Sequence, residues 1–245
     1  MSLKDKTAII TGAGKGIGAA IARRLAHDGC AVVVNYARDE AAARQVVKDI
    51  EQAGGKAVAI QADIGDPAGM TKLFDAAEAA FGPADILVNN AGMMRLSPLA
   101  DATDADFDEH CAVNLGGTFR GMREAARRLR DGGRIISLSS SVVGFYQPGY
   151  SLYAATKAAI EAMTHVLAKE LGPRRITVNA IAPGPIETDF FMRGKSEELV
   201  ANITRMIPLG RLGQPDDIAD AIAFLAGPES GWVNGQTIRA NGGAV

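Results

Sequence analysis

Seven short runs rich in Val, Ile, Leu and Ala alternate along this chain with longer stretches of helical periodicity, and no other feature narrows the possible folds so far. The runs are TAIIT, AVVVNY, AVAIQA, DILVNNA, RIISLSS, ITVNAIA and QTIRANGG. Most lack polar alternation, which predicts strands buried on both faces, as happens when helices cross over between parallel strands. The expected architecture is α/β: one doubly wound, parallel, seven-stranded sheet flanked by helices on both faces. Asp66 before Pro67 predicts an N-cap and first turn, and Gln214-Pro215-Asp216-Asp217 predicts another. No repeat or Ser/Pro-rich linker breaks the alternation, so residues 1–245 are expected to form a single domain.

Of the 245 residues 47% are hydrophobic and the formal net charge is −2, enough apolar material for one large core. Basic residues are interspersed with acidic ones and only 5% are aromatic, which argues against nucleic acid as a partner. The opening MSLKDKTAIITGAG has no apolar signal region, and no apolar run approaches the ~20 residues of a membrane span. Cys30 and Cys111 lack CxxC spacing, which fits a reducing, cytoplasmic setting. His27, His110 and His165 have no Cys or carboxylate at ligand spacing, so no metal is expected.

Two motifs carry chemistry. The first strand runs into Thr11-Gly12-Ala13-Gly14-Lys15-Gly16-Ile17-Gly18 and then a helical stretch closed by Gly29. Glycines permit φ > 0 and close backbone approach, and the N–H groups at the following helix start receive an anion, so this TGxxxGxG turn reads as a dinucleotide phosphate cradle. At the end of the second strand, Asn35-Tyr36-Ala37-Arg38, the place of a ribose-binding acid falls on Asn35. Without a carboxylate there, and with Arg38 and Lys15 available to a 2′-phosphate, NADP(H) is favoured over NAD(H); the alternative is that both cations are simply solvated. The second motif is SLYAATKAAIEAM, in which Tyr153 and Lys157 share a helix face. A cation beside a phenol lowers its pKa from ~10 and permits proton transfer near neutrality.

With TGxxxGxG, Asn89-Asn90-Ala91-Gly92, Asn114, the serines 139–141, YxxxK and Pro183-Gly184-Pro185-Ile186-Glu187-Thr188, the chain resembles the short-chain dehydrogenase/reductase family from end to end. The resemblance implies a Rossmann fold and a catalytic set of Asn114, Ser140, Tyr153 and Lys157. Tyr153 would give a proton to a carbonyl oxygen as hydride arrives, and Lys157 would lower its pKa and hold the nicotinamide ribose. Ser140 would bond the substrate oxygen, with Ser141 as the alternative, and Asn114 would mark a helix irregularity leading a water chain to the lysine. Asp63 and Ile64 would lie at the adenine, and Asn90, Ala91 and Gly92 at its ribose. Pro183, Gly184, Ile186 and Thr188 would hold the carboxamide and pyrophosphate. Without the resemblance, Asp63 and NNAG read as plain turn residues.

Residues 187–212, amphipathic and flanked by Pro and Gly, are expected to form a substrate lid. Phe190, Phe191 and Met192, with Met93, Met94, Phe145, Tyr146 and Tyr150, predict an apolar pocket, while Arg95, Arg193 and Lys195 could meet an anionic tail. The leading expectation is an NADPH-dependent reductase of a small-molecule ketone or aldehyde. A narrower one is a 3-oxoacyl-thioester reductase, taking an acyl carrier protein or CoA thioester, with Arg127, Arg128, Arg130 and Arg174 as a carrier docking patch. Against it, MMRLSPLADAT departs from the ITRDNLL-like segment of that enzyme. Sugar or polyol oxidation, and a non-catalytic nucleotide sensor, are the alternatives. Apolar faces on the helices around 104–130 and 153–171 predict pairing into dimers and then homotetramers.

Overall fold

A computed structural model describes residues 3–245. Its seven strands are all parallel, in the order β3-β2-β1-β4-β5-β6-β7, and each coincides with one of the seven apolar runs, β3 starting one residue before its run and β6 ending one residue after. In chain order the first half comprises β1 Thr7–Ile10, α1 Gly16–His27, β2 Ala31–Tyr36, α2 Glu40–Gln52, β3 Lys56–Gln61, α3 Gly69–Phe81 and β4 Ile86–Asn89. The second half comprises α4 Asp104–His110, α5 Gly117–Arg128, β5 Arg134–Leu138, α6 Val142–Phe145, α7 Ser151–Glu170, β6 Thr177–Pro183, α8 Asp189–Met192, α9 Glu197–Arg205, α10 Pro215–Ala226 and β7 Thr237–Ala240.

Successive side chains on a strand point to opposite faces, and in the five inner strands both faces are buried, whereas the edge strands β3 and β7 are half-buried. Ala8 and Ile10, Val32 and Val34, and Ile86 and Val88 pack with α1, α2 and α10. The intervening Ile9, Val33, Leu87 and Ile135 pack on the other side with α3, α5 and α7. That is why the central runs show no polar alternation. Burying each such Val, Ile or Leu contributes about 1.5–3 kcal/mol, which makes the sheet the rigid part on which the loops are mounted.

Helix ends follow local chemistry in one expected case and not in the other. Gln214 caps α10 with Pro215 at its first position, and Asp217 Oδ2 accepts the Gln214 N–H at 2.7 Å. Asp66, by contrast, does not cap α3. Its Oδ1 accepts the Ala68 N–H at 2.9 Å, and its carbonyl accepts the Gly69 N–H, so a turn intervenes and the helix starts at Gly69. The start is tied to close packing, since a Cβ on Gly69 would lie 1.8 Å from the Asp63 carbonyl oxygen.

Between α4 and α5 the helix widens into a π-turn over Cys111–Gly116, the irregularity expected around Asn114. None of the helices among the described residues is long and apolar enough to cross a membrane.

Candidate active site

Strand order reverses between β1 and β4, and the loops leaving the carboxyl ends of these strands border a crevice. At the head of α1 the backbone shapes this crevice. Gly12 and Gly16 have φ of 62° and 51°, and a Cβ on Gly18 would lie 2.5 Å from both Asn90 Nδ2 and the Gly12 carbonyl oxygen. No side chain fits there. Gly14 lies against the backbone of Ala43, and Gly16 faces Thr188, which caps α8. The N–H groups of Gly16, Ile17 and Gly18 have no acceptor among the described residues, so this turn fits a phosphate group.

Thr11, quoted in the motif but not expected at the site, fastens this turn. Its hydroxyl accepts the N–H groups of Asn90 and Ala91, both at 3.0 Å. Asn90 Nδ2 donates to the carbonyls of Thr11 at 2.8 Å and Gly12 at 3.1 Å. A hydroxyl between the strand and its first glycine was the available signal.

Asn35 does not face the crevice, contrary to expectation. Its Oδ1 accepts the Gly12 N–H at 3.1 Å and its Nδ2 donates to the Ala62 carbonyl at 2.9 Å, so the amide is spent tying β2 to the glycine turn and to the end of β3. Tyr36 is buried, while Ala37 and Arg38 are exposed on the rim. Lys15 is not free either. Its Nζ lies 2.5 Å from Asp39 Oδ2, while Asp39 Oδ1 caps α2 by accepting the Ala42 N–H. Their hydrogen bond raises the Lys15 pKa and lowers that of Asp39. An acid directly ahead of EAAARQVV was the missed cap signal.

After β3, Asp63 Oδ1 accepts the Gly65 N–H at 2.8 Å, a strand-end turn, and Ile64 points into the core beneath α5. Pro183 ends β6, its carbonyl accepting the Ser141 N–H; Gly184 packs against Asn241, and Ile186 is buried.

At α7 side chains take over. Tyr153 and Lys157 are both buried, with the ammonium 5.6 Å from the phenol ring centre. Lys157 Nζ donates to the Leu138 carbonyl at 2.6 Å, and burial pushes its pKa down to about 8. The Tyr153 pKa is pushed up to about 12, chiefly by burial, with a Ser140 hydrogen bond opposing the rise. This reverses the expected lowering by Lys157: the lysine is itself desolvated and committed to a carbonyl, so burial prevails and the phenol is held as a neutral acid.

The three serines separate by what they touch. Ser139 Oγ donates to Glu161 Oε1 at 2.6 Å, and Ser141 Oγ donates to the Ala182 carbonyl at 3.0 Å while accepting from Asn241 Nδ2. Ser140 Oγ accepts the Val142 N–H at 3.3 Å, and of the three serines it is the one that acts on the Tyr153 pKa. Asn114, fully buried in the π-turn, accepts the Met93 N–H at 2.8 Å and donates to the Met93 carbonyl at 2.9 Å and to Thr156 Oγ1 at 3.2 Å. A Cβ on Gly92 would lie 3.2 Å from Asn114 Oδ1 and 3.7 Å from Lys157 Nζ, so Gly92 permits the approach of these groups.

The cations expected to meet an anionic tail are largely engaged. Arg95 pairs with Asp106 and Glu109, and its N–H donates to the Nε2 of buried His110. Lys195 lies over the Phe191 ring and donates to the Phe191 carbonyl. The docking-patch arginines are also paired: Arg128 with Asp75 and Glu78, Arg130 with Asp85, Arg174 with Asp131, and Arg127, more distantly, with Glu124. Arg130 and Arg174 border the amino ends of β4 to β6, at the opposite edge of the sheet from Tyr153. Residues 187–212 leave and rejoin the body where Glu187 N–H donates to Gly213 and Gly213 N–H to Pro185.

A family model described as enoyl-(acyl carrier protein) reductase matches residues 12–245. A short-chain type dehydrogenase/reductase from Picea abies is 44% identical over 99% of this chain and 93% of its own. A chloroplastic NADPH-dependent aldehyde reductase-like protein from Arabidopsis thaliana is 43% identical over 100% of this chain and 96% of its own. Among solved structures, a short chain dehydrogenase from Burkholderia cenocepacia in complex with NADP superposes with a TM-score of 0.94 at 42% identity, covering 100% of this chain and 99% of that one.

Proposed function

Because the chain belongs to the short-chain dehydrogenase/reductase family, we propose that it transfers hydride between NADP(H) and the carbonyl carbon of a ketone or aldehyde, reversibly with the alcohol. The observation that carries this reading is the grouping of half-buried Ser140 with buried Tyr153 and Lys157, bordering a crevice whose glycine turn suits a phosphate. When bound, the nicotinamide supplies or accepts the hydride.

The residues do the rest. In reduction Tyr153, a neutral phenol with its pKa pushed up to about 12, donates its proton to the carbonyl oxygen while Ser140 bonds that oxygen and offsets its developing charge. The phenolate so formed is reprotonated from the neighbouring Lys157 ammonium, which recovers a proton from solvent along the side lined by Asn114 and Met93. Lys157 also bonds the nicotinamide ribose. Gly12, Gly14, Gly16, Ile17, Gly18 and Thr188 hold the pyrophosphate, Asp63 and Ile64 border the adenine, and Asn90, Ala91 and Gly92 border its ribose. Pro183, Gly184 and Ile186 hold the carboxamide, and residues 187–212 close over it as a lid.

Exposed Arg38, with no carboxylate at ion-pair distance among the described residues, supports NADP(H) over NAD(H), with Lys15 shared between Asp39 and the 2′-phosphate. A chloroplastic relative named as NADPH-dependent and a structure with NADP point the same way. Exposed Phe107, Phe119 and Val166 on α4, α5 and α7 support pairing of copies into a homotetramer, and two free cysteines support a cytoplasmic setting. The acyl-carrier version loses support, because its arginines are paired with acids away from the reaction. The test follows NADPH absorbance on adding acetoacetyl-CoA, small ketones or aldehydes. Consumption abolished in Tyr153→Phe with NADPH affinity retained is expected, whereas undiminished consumption in that variant would overturn the mechanism.

A further inference from the structure

We propose that the cleft between residues 96–99 and residues 146–151 is a subsite for a flat, uncharged, aromatic portion of the substrate, with Tyr150 setting the preference. The reaction at its inner end rests on the reductase reading above; the binding does not.

The cleft encloses about 690 Å³, within the range of small-molecule sites. Leu96, Pro98 and Leu99 are on one side, Tyr146, Pro148 and Tyr150 on the other, and no charged side chain lines it. Its loops are joined by the Ser97 N–H, which donates to the Gly149 carbonyl at 3.1 Å. Two further observations point to a ligand. Tyr146 adopts φ 48°, a left-handed conformation uncommon for a bulky residue, while its side chain stands 67% exposed at the cleft. Strain of this kind collects at binding sites, and nothing in the chain's own core requires this ring.

Tyr150 connects the cleft to the reacting centre. It lines the cleft together with Ala154 and packs in one cluster with Met94, Val142 and Tyr153. Tyr150 is the N-cap of α7, its carbonyl accepting the Ala154 N–H at 2.7 Å, so it neighbours residues 153 and 154 by the three- and four-residue spacing. Tyr153 itself does not line the cleft, so the substituent of a carbonyl beside it would reach the cleft past Tyr150. Two tyrosines and two prolines present flat apolar faces, which favour an aromatic ring by offset or edge contact over a flexible chain. An anionic tail finds no free cation in the lining, since the nearby Arg95 is paired with Asp106 and Glu109.

The test has a binding arm and a kinetic arm. Calorimetric titration of the NADPH-saturated protein with 2-naphthol, which is not a ketone substrate, reads the cleft directly. The ratio of kcat/KM for 2-tetralone to that for butanone reads it in turnover. Tyr150→Leu should weaken 2-naphthol binding and lower the ratio, each by roughly tenfold, and Leu99→Ser, on the opposite wall, should do the same to a smaller degree. NADPH affinity reports on folding in both variants. Unchanged 2-naphthol binding and an unchanged ratio would overturn the proposal. So would a Leu99→Ser protein that becomes monomeric by light scattering while 2-naphthol binding persists, because the cleft would then be covered by a second copy. No turnover of any ketone, combined with lost 2-naphthol binding in both variants, would remove the reductase reading and support the subsite.

Discussion

The heads of α1 and α7 both border the crevice, yet they are built on opposite principles. At α1 side chains are excluded: Gly18 has no room for a Cβ, and the groups offered are backbone N–H donors. At α7 the backbone is ordinary helix, and the chemistry lies in side chains pressed out of water. Each head carries a lysine, and the two are perturbed in opposite directions. Lys15, exposed beside Asp39, has its pKa raised by a hydrogen bond, whereas Lys157, buried without a carboxylate partner, is pushed down to about 8. A site that binds a charge keeps its cation charged; a site that passes protons brings its cation nearer neutrality.

The largest effect should come from removing the side chain that the loop after β5 brings to Tyr153 of α7. Ser140→Ala is expected to lower kcat by about 10²–10³-fold with NADPH affinity retained. Ser141→Ala, which loses the bonds to Ala182 and Asn241, should chiefly lower Tm. Equal kinetic losses in both would show that the two serines do not divide as their contacts indicate.

Next is Lys157 itself. Its folded pKa lies at about 8 against an ordinary 10.5, so between these values the unfolded chain binds the proton that the folded one has released. Stability must then rise with pH across that window, by on the order of 3 kcal/mol, and be lost as pH falls through about 8. Denaturant unfolding at pH 7.5 and pH 10, with Lys157→Met as the reference, isolates the contribution. A wild-type rise no larger than that of the variant would contradict the buried, unpaired ammonium.

At α1 the disruptive change is an addition. Gly18→Ala should raise the NADPH Kd by roughly 10–100-fold, because overpacking of this kind costs about 1–3 kcal/mol; fluorescence titration measures it, and unaltered affinity would mean that the turn yields to a methyl group. The smallest effect is expected from Asp39→Asn. Freed of its partner, Lys15 should tighten NADPH a few-fold relative to NADH, less so at high salt because both groups are exposed. Weaker NADPH binding would assign Asp39 mainly to capping α2.

The difference between the two heads also explains how far the chain could be read in advance. Glycine spacing and YxxxK are local patterns, and each sits on the element expected for it, as do the seven strands. Asn35 was misplaced because the strand pattern locates a residue near the crevice without saying that its amide will be consumed by Gly12 and Ala62. Lys15, Arg95 and the four arginines read as available charge because their acids lie elsewhere in the chain or were overlooked beside them: Asp39, Asp106, Asp75 and Asp85. The sign of the Tyr153 shift was missed because burial is a property of the packed protein rather than of a four-residue spacing.

Hydrophobic periodicity and glycine placement were enough by themselves to determine the parallel sheet, the phosphate-suited turn and the pairing of Tyr153 with Lys157, since each follows from backbone sterics or from the helical repeat. Tertiary structure alone decided which of three adjacent serines meets the phenol, which cations remain free, and whether Tyr153 is the stronger or the weaker acid. Those outcomes depend on desolvation and on partners brought together from distant segments, which no local pattern encodes.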